Sequence, residues 1–256
     1  MQLRRSTLII TMLFLVTRCA WCAQPLTLAT VEWPPFYGQN LPQKGYIYAT
    51  TKEAFKRAGY DVTVVFLPWK RALELTRLGK YDGLLGVYHT DARELDFVFS
   101  DTILHTKEVF VFPSRQRSSY QSLQDLHGKT VGGLRGTAPL EDLKRYMPSI
   151  DVDDVADEER GLLQLYTNRI DLMLINIERF NYLMKVTPSI VGSNDELLLS
   201  KLVFSDYSLH CAIRRSKKDS KLIIDNFNKE LKVIISSGKY DHLIPNHTDA
   251  REVGFK

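Results

Sequence analysis

Apolar residues along the chain recur with two alternating periods, and each change of period marks a new element. Leu26 to Glu32 alternates as a strand does and stops at the turn-forming run Trp33-Pro-Pro-Phe36. Tyr46 to Ala58 then sets Ile47, Thr51, Ala54, Phe55 and Ala58 at helical spacing, with Gly59 behind them as a C-terminal cap. Val62 to Leu67 predicts a second strand, Trp69 to Leu78 a helix closed by Gly79, and Asp82 to Val87 a third strand. The result is a βαβαβ unit.

A second round starts near Ser122. Lys129 to Leu134 predicts a strand running into Arg135-Gly-Thr-Ala-Pro139 and a helix with Glu141 and Asp142 in its first turn. Ile150 to Val155, Glu158 to Thr167 and Ile170 to Ile175 then read as strand, helix and strand. Two strand-like stretches without an intervening helix, Thr106 to Pro113 and Ser205 to Arg214, bracket this second unit. The final helix carries Ile223, Phe227, Leu231 and Ile234 on one face, a stripe it must bury on another element, and the first unit is the place for it. The expected fold class is therefore α/β: two α/β domains joined by a two-strand hinge, the second inserted in the first. Residues 24–110 and 206–256 form the discontinuous first domain and 111–205 the inserted one.

Residues 1–23 stand apart from this pattern. Arg4 and Arg5 precede an apolar run, Leu8 to Val16, and then Cys19, Ala20, Cys22 and Ala23, the order of a secretory signal peptide and too short for a membrane span. Neither Cys19 after Arg18 nor Cys22 after Trp21 has a lipid-attachment context, so the expectation is a soluble exported protein with no membrane span in the mature chain. A cut after Ala23 leaves Cys211 as the sole thiol, and the mature protein must rely on its core rather than on disulfides. Removing the leader also takes away three arginines and no acids, so the basic balance of +4 nearly vanishes. A nucleic-acid partner loses its electrostatic basis with it. The charge clusters Arg214 to Lys218 and Asp151 to Asp154 are short, opposite in sign, and read as solvated faces.

Chemistry concentrates around Arg93, which follows the apolar run Leu84 to Val87 and a polar turn, and precedes Phe97 to Phe99. A guanidinium held at a strand end can grip a carboxylate with two parallel charge-assisted hydrogen bonds. Position alone also allows a pairing of Arg93 with Glu94 or Asp96 on a solvated loop. No metal-ligand spacing and no nucleophile-base signature occurs, so neither a metal nor a cofactor is expected.

In order along the chain, the Pro-Pro-Phe36 turn, Gly79-Lys-Tyr-Asp-Gly83, Thr90-Asp-Ala-Arg93 with Phe97-Val-Phe-Ser100, Gly136-Thr137, Asn168-Arg-Ile-Asp171 and Gly238-Lys-Tyr240 resemble the bacterial extracellular solute-binding proteins of the polar amino-acid-binding family. The resemblance implies the periplasmic binding protein fold of the second topological type. It implies that Arg93 clamps a ligand carboxylate and that Gly136 and Thr137 add backbone and hydroxyl donors, which suits a helix N-terminus. An ordinary helix cap is the alternative for that pair. It also implies that Trp33 and Trp69 flank the ligand, with core packing as the alternative, and that Gly86 and Tyr88 supply a backbone acceptor and a phenol.

One departure bears on the ligand. Family members that bind α-amino acids usually present an Asp to the α-ammonium where this chain has Asn176, and an amide cannot neutralise that charge. Glu32 or Glu178 could substitute; without either, a carboxylate lacking an α-ammonium fits better, with Arg135 as a second cationic contact. The implied function is that of a monomeric periplasmic receptor that closes over a small carboxylate-bearing solute, amino-acid-like or an organic acid, and hands it to an inner-membrane ABC permease. The alternatives are a sensor module for a membrane partner and an enzyme resembling cyclohexadienyl dehydratases, with Glu32, His89 or Glu178 as proton donor.

Overall fold

Alternation along the first strand decides which helices cover it. The computed structural model describes residues 23–116, 120–187 and 196–244; residues 1–22 and the last twelve residues lie outside them. In β1 (Gln24–Thr30), Leu26 and Leu28 face one side and Ala29 the other. The first side is covered by α1 (Tyr46–Arg57) and the last long helix, and the second by α2 (Trp69–Arg77). β1 pairs in parallel with β2 (Tyr60–Phe66) and β3 (Gly83–Tyr88), as crossover helices between strands require.

After β3, the short α3 (Asp91–Glu94) and β4 (Phe97–Phe99) lead into β5 (Leu104–Pro113). The second unit follows: β6 (Thr130–Leu134), α4 (Ala138–Tyr146), β7 (Asp151–Val155), α5 (Glu158–Tyr166) and β8 (Leu172–Asn176), with β6 parallel to both β7 and β8. Its strands also bury both faces, one with Leu162, Leu165 and Met173, the other with Leu143, Leu172 and Leu174. Then come α6 (Ile177–Val186), β9 (Leu197–Arg214) and α7 (Ser220–Ser236).

The strand order is β2-β1-β3-β9-β5-β8-β6-β7, with β4 also on β9. β5 and β9 run antiparallel through its middle, from Leu104↔Leu209 to Pro113↔Leu197, with register shifts around Val109. One half of this ribbon continues the first unit through β3 and the other continues the second through β8. Two antiparallel strands with local irregularities, carrying all the pairing between two units, make a hinge.

The expected elements appear close to their predicted bounds; the short α3 and β4 are additions, and two differences are larger. The last hinge strand begins at Leu197 rather than Ser205, because the far half of β5 needs a partner and Leu197 to Val203 supplies it. Helix α6, absent from the sequence reading, starts directly at the end of β8, where the Asn176 side chain accepts from the Arg179 N–H as an N-cap. Cys211 is buried in β9 with its thiol on the Leu84 carbonyl, and burial pushes it well above the ordinary thiol range, which leaves it inert. Among the described residues no helix is long and apolar enough to cross a membrane.

Candidate functional site

The C-terminal end of β3 builds one wall of the cleft between the two units. Gly86, at φ +71, interrupts the β3 to β9 register and forms a bulge, and its carbonyl accepts from the Tyr37 hydroxyl at 3.1 Å. A Cβ at this position would lie 2.5 Å from the Tyr37 ring. Gly86→Ala is therefore expected to destabilise the protein by about 2 kcal/mol or more through clash and an unfavourable φ. A urea midpoint equal to that of the unsubstituted chain would show that the ring moves aside freely.

Two residues past the end of β3, Thr90 caps α3 by accepting from the Arg93 N–H, so the arginine leaves the chain beside the strand end and folds back into the cleft. Its side chain is 2% exposed. One terminal nitrogen, Nη1, donates to the Tyr88 carbonyl at 3.0 Å, and Nη2 donates to the Gly136 carbonyl of the second unit at 3.2 Å. The guanidinium lies 5.6 Å over the Trp69 ring, and Glu141 stands 3.7 Å away. Nε has no hydrogen-bond partner among the described residues although it is buried. The loop pairing does not form, since Glu94 bonds His89 at 2.7 Å and Asp96 bonds Arg77 at 2.8 Å.

Arg93 lines a cavity of about 50 Å³ together with Trp33, Trp69, Gly86, Tyr88 and Thr137. Trp69 also donates from Nε1 to the Gly136 carbonyl at 2.8 Å, so it serves as both wall and strut between the units. Trp33 stacks on Phe36 at 4.5 Å and meets Tyr88 edge-on at 6.0 Å. Gly136, at φ +76, aims its carbonyl at Arg93, and the Thr137 hydroxyl donates back to the Leu134 carbonyl at 2.7 Å.

Four expected site residues stand outside this lining: Gly136, which meets Arg93 and Trp69 only through its carbonyl, and three others. Asn176 is buried, but its amide is spent on the α6 cap and on the Lys107 carbonyl. Glu32 is exposed and holds the Gln39 side chain and backbone. Arg135 points outward and donates to the Asp154 carbonyl. Each of these three side chains is held by a backbone or neighbouring polar group.

Two carboxyl groups that sequence reasoning did not single out do line the cavity, Glu108 on β5 and Glu158 at the start of α5. Glu158 forms a buried ion pair with Arg179 at 2.7 Å, and Arg179 reaches across the cleft to the Pro34 carbonyl at 3.0 Å. Glu108 is 5% exposed and accepts from the Tyr88 hydroxyl at 2.8 Å, which in turn accepts from Thr106. Burial pushes the Glu108 carboxyl up to about 8. The only hint in the sequence was an acid inside an apolar strand; Glu158 looked like an ordinary first-turn acid.

The model of the bacterial extracellular solute-binding proteins, family 3, matches residues 26–249. Among curated proteins, the chain is 28% identical over 223 residues to the arginine-binding extracellular protein ArtP of Bacillus subtilis, covering 84% of this chain and 82% of that one. Among solved structures it resembles a mutant of ArgBP from T. maritima, at 24% identity and TM-score 0.71 over 86% of this chain and 93% of that one. It also resembles AbpA from Streptococcus pneumoniae, an amino acid ABC transporter substrate-binding protein bound to L-arginine, at 22% identity and TM-score 0.70 over 86% and 92%. At these identities the structures establish the periplasmic binding protein fold.

Proposed function

The chain belongs to family 3 of the bacterial extracellular solute-binding proteins, and from that premise we propose that it is a periplasmic receptor for a small, amino-acid-like solute held by its carboxylate. The observation that carries this reading is the buried fork of Arg93. With Nη1 fixed on the Tyr88 carbonyl, the partnerless Nε and Nη2, which the Gly136 carbonyl holds at 3.2 Å and the exposed Glu141 at 3.7 Å, form the adjacent donor pair that a carboxylate accepts side-on. A carboxylate there replaces the Gly136 carbonyl on Nη2 and adds the missing acceptor on Nε.

Residues 24–110 and 206–256 serve as one jaw and 111–205 as the other, and the ribbon of β5 and β9 flexes between them. Solute stabilises the closed form by its better contacts there. The leader, residues 1–23, directs export to the periplasm, where the protein acts as a monomer and delivers its solute to an ABC permease rather than transforming it. The relatives named for arginine binding and for an amino acid ABC transporter support an amino-acid-like solute and that delivery.

A thermal-shift screen over amino acids, dicarboxylates, keto acids and aromatic acids, followed by calorimetry on the best compound, tests this reading. The expected result is a stabilising hit that carries a carboxylate. Stabilisation confined to uncharged sugars or to cations without a carboxylate would overturn it.

A further inference from the structure

We propose that Glu108 recognises a positive charge on the solute, so that the cleft selects zwitterions over simple organic acids; this rests on the carboxylate reading of Arg93. Glu108 and Arg93 line the same cavity, and both are almost wholly buried. Glu108 takes its hydrogen bond from a neutral phenol, and none of the ion pairs among the described residues includes it. The nearest register partner on β8 is Asn176, a neutral amide committed to a helix cap. Arg179 is already engaged by Glu158 and the Pro34 carbonyl. The cavity therefore holds a buried donor fork and, from the hinge strand, a buried carboxyl without a cation. A molecule bearing a carboxylate and an organic cation matches both.

The groups facing Glu108 reinforce this. Tyr88 on β3 donates to it, Tyr207 on β9 lies stacked on Tyr88 at 4.8 Å, and Glu158 and Glu178, on α5 and α6, place negative charge toward it. Burial, aided by Glu158 and Glu178 and only partly offset by the Tyr88 hydrogen bond, holds the Glu108 carboxyl up to about 8, so near neutral pH the free protein keeps it largely protonated. A cation seated against it favours the ionised form and expels that proton. Below about pH 8 proton and cation compete, so affinity for a zwitterion rises with pH, up to about tenfold per unit, and levels off above.

The test uses the full mature chain and calorimetry at pH 6, 7 and 8, in buffers of different ionisation enthalpy. The probes are L-arginine and L-glutamine, each paired with its analogue bearing a hydroxyl in place of the α-amino group. In the glutamine pair that change removes the only cation, whereas the arginine analogue keeps its guanidinium, so the two pairs separate an α-ammonium from a side-chain cation at Glu108. The expected result is at least tenfold weaker binding of whichever analogue lacks the recognised cation, with proton release on binding of the zwitterion. Glu108→Gln, which keeps the Tyr88 hydrogen bond, is expected to lose the proton release and that preference while still binding the acids. Glu108→Asp is expected to keep both in part. Undiminished binding of L-arginine and L-glutamine with unchanged proton release in Glu108→Gln would overturn the assignment and leave the carboxylate reading standing. Binding of neither pair, with a carboxylate-free compound as the hit in the wider screen, would overturn both.

Discussion

Arg93→Ala is expected to weaken binding of the best carboxylate compound at least about 100-fold, close to 3 kcal/mol, with little change in the folded structure of the free protein. Truncation removes the whole donor fork, and no other guanidinium among the described residues lines the cavity. The Gly136 carbonyl keeps its bond from Trp69, so the contact between the units survives in part. Arg93→Lys is expected to recover only a fraction of the loss, because an ammonium supplies a point charge without two parallel donors. Calorimetry on both variants, after a cooperative melt confirms that each folds, reads the effect. Affinity in Arg93→Ala within threefold of the unsubstituted chain would show that the solute is held elsewhere.

Phe227→Ala is expected to have the largest effect on stability, a loss of about 3–5 kcal/mol in urea unfolding. Phe227 lies on α7 and is fully buried, with its ring 4.4 Å from Phe55 on α1. That contact fastens the last described long helix to the first unit. Because Phe227 lies among Ile223, Ile224 and Leu231, the lost ring leaves a cavity in the main core of the first unit. A loss below about 1 kcal/mol would mean that α7 contributes little to that core.

How far the site was legible depended on the range of the interactions that set it. Arg93 could be placed at a strand end because the apolar run before it and the polar turn between them are local signals. Trp33, Trp69, Gly86, Tyr88 and Thr137 likewise follow strand ends or helix starts, and the structure gathers them around one cavity. Asn176 was placed in the cleft by the resemblance, at the position where amino-acid-binding relatives usually carry an Asp, yet the next residues form a helix that claims its side chain. Glu108 passed unnoticed, since a hinge strand with Val109, Phe110, Val111 and Phe112 buried in succession offers no alternation by which to tell its inward acid.

By itself the sequence determined most of the order of strands and helices, the bracketing of one α/β unit by two strands, and the place of Arg93 just past a strand end. Those follow from periodicity, caps and turns, which act over a few residues. Tertiary structure alone decided what surrounds that residue: the Gly136 carbonyl from 43 positions away, and the buried Glu108 facing the same cavity. The strength of a buried charge depends on which dipoles and carboxyls the fold brings beside it and how much water it excludes, and those are properties of packing rather than of neighbours in the chain.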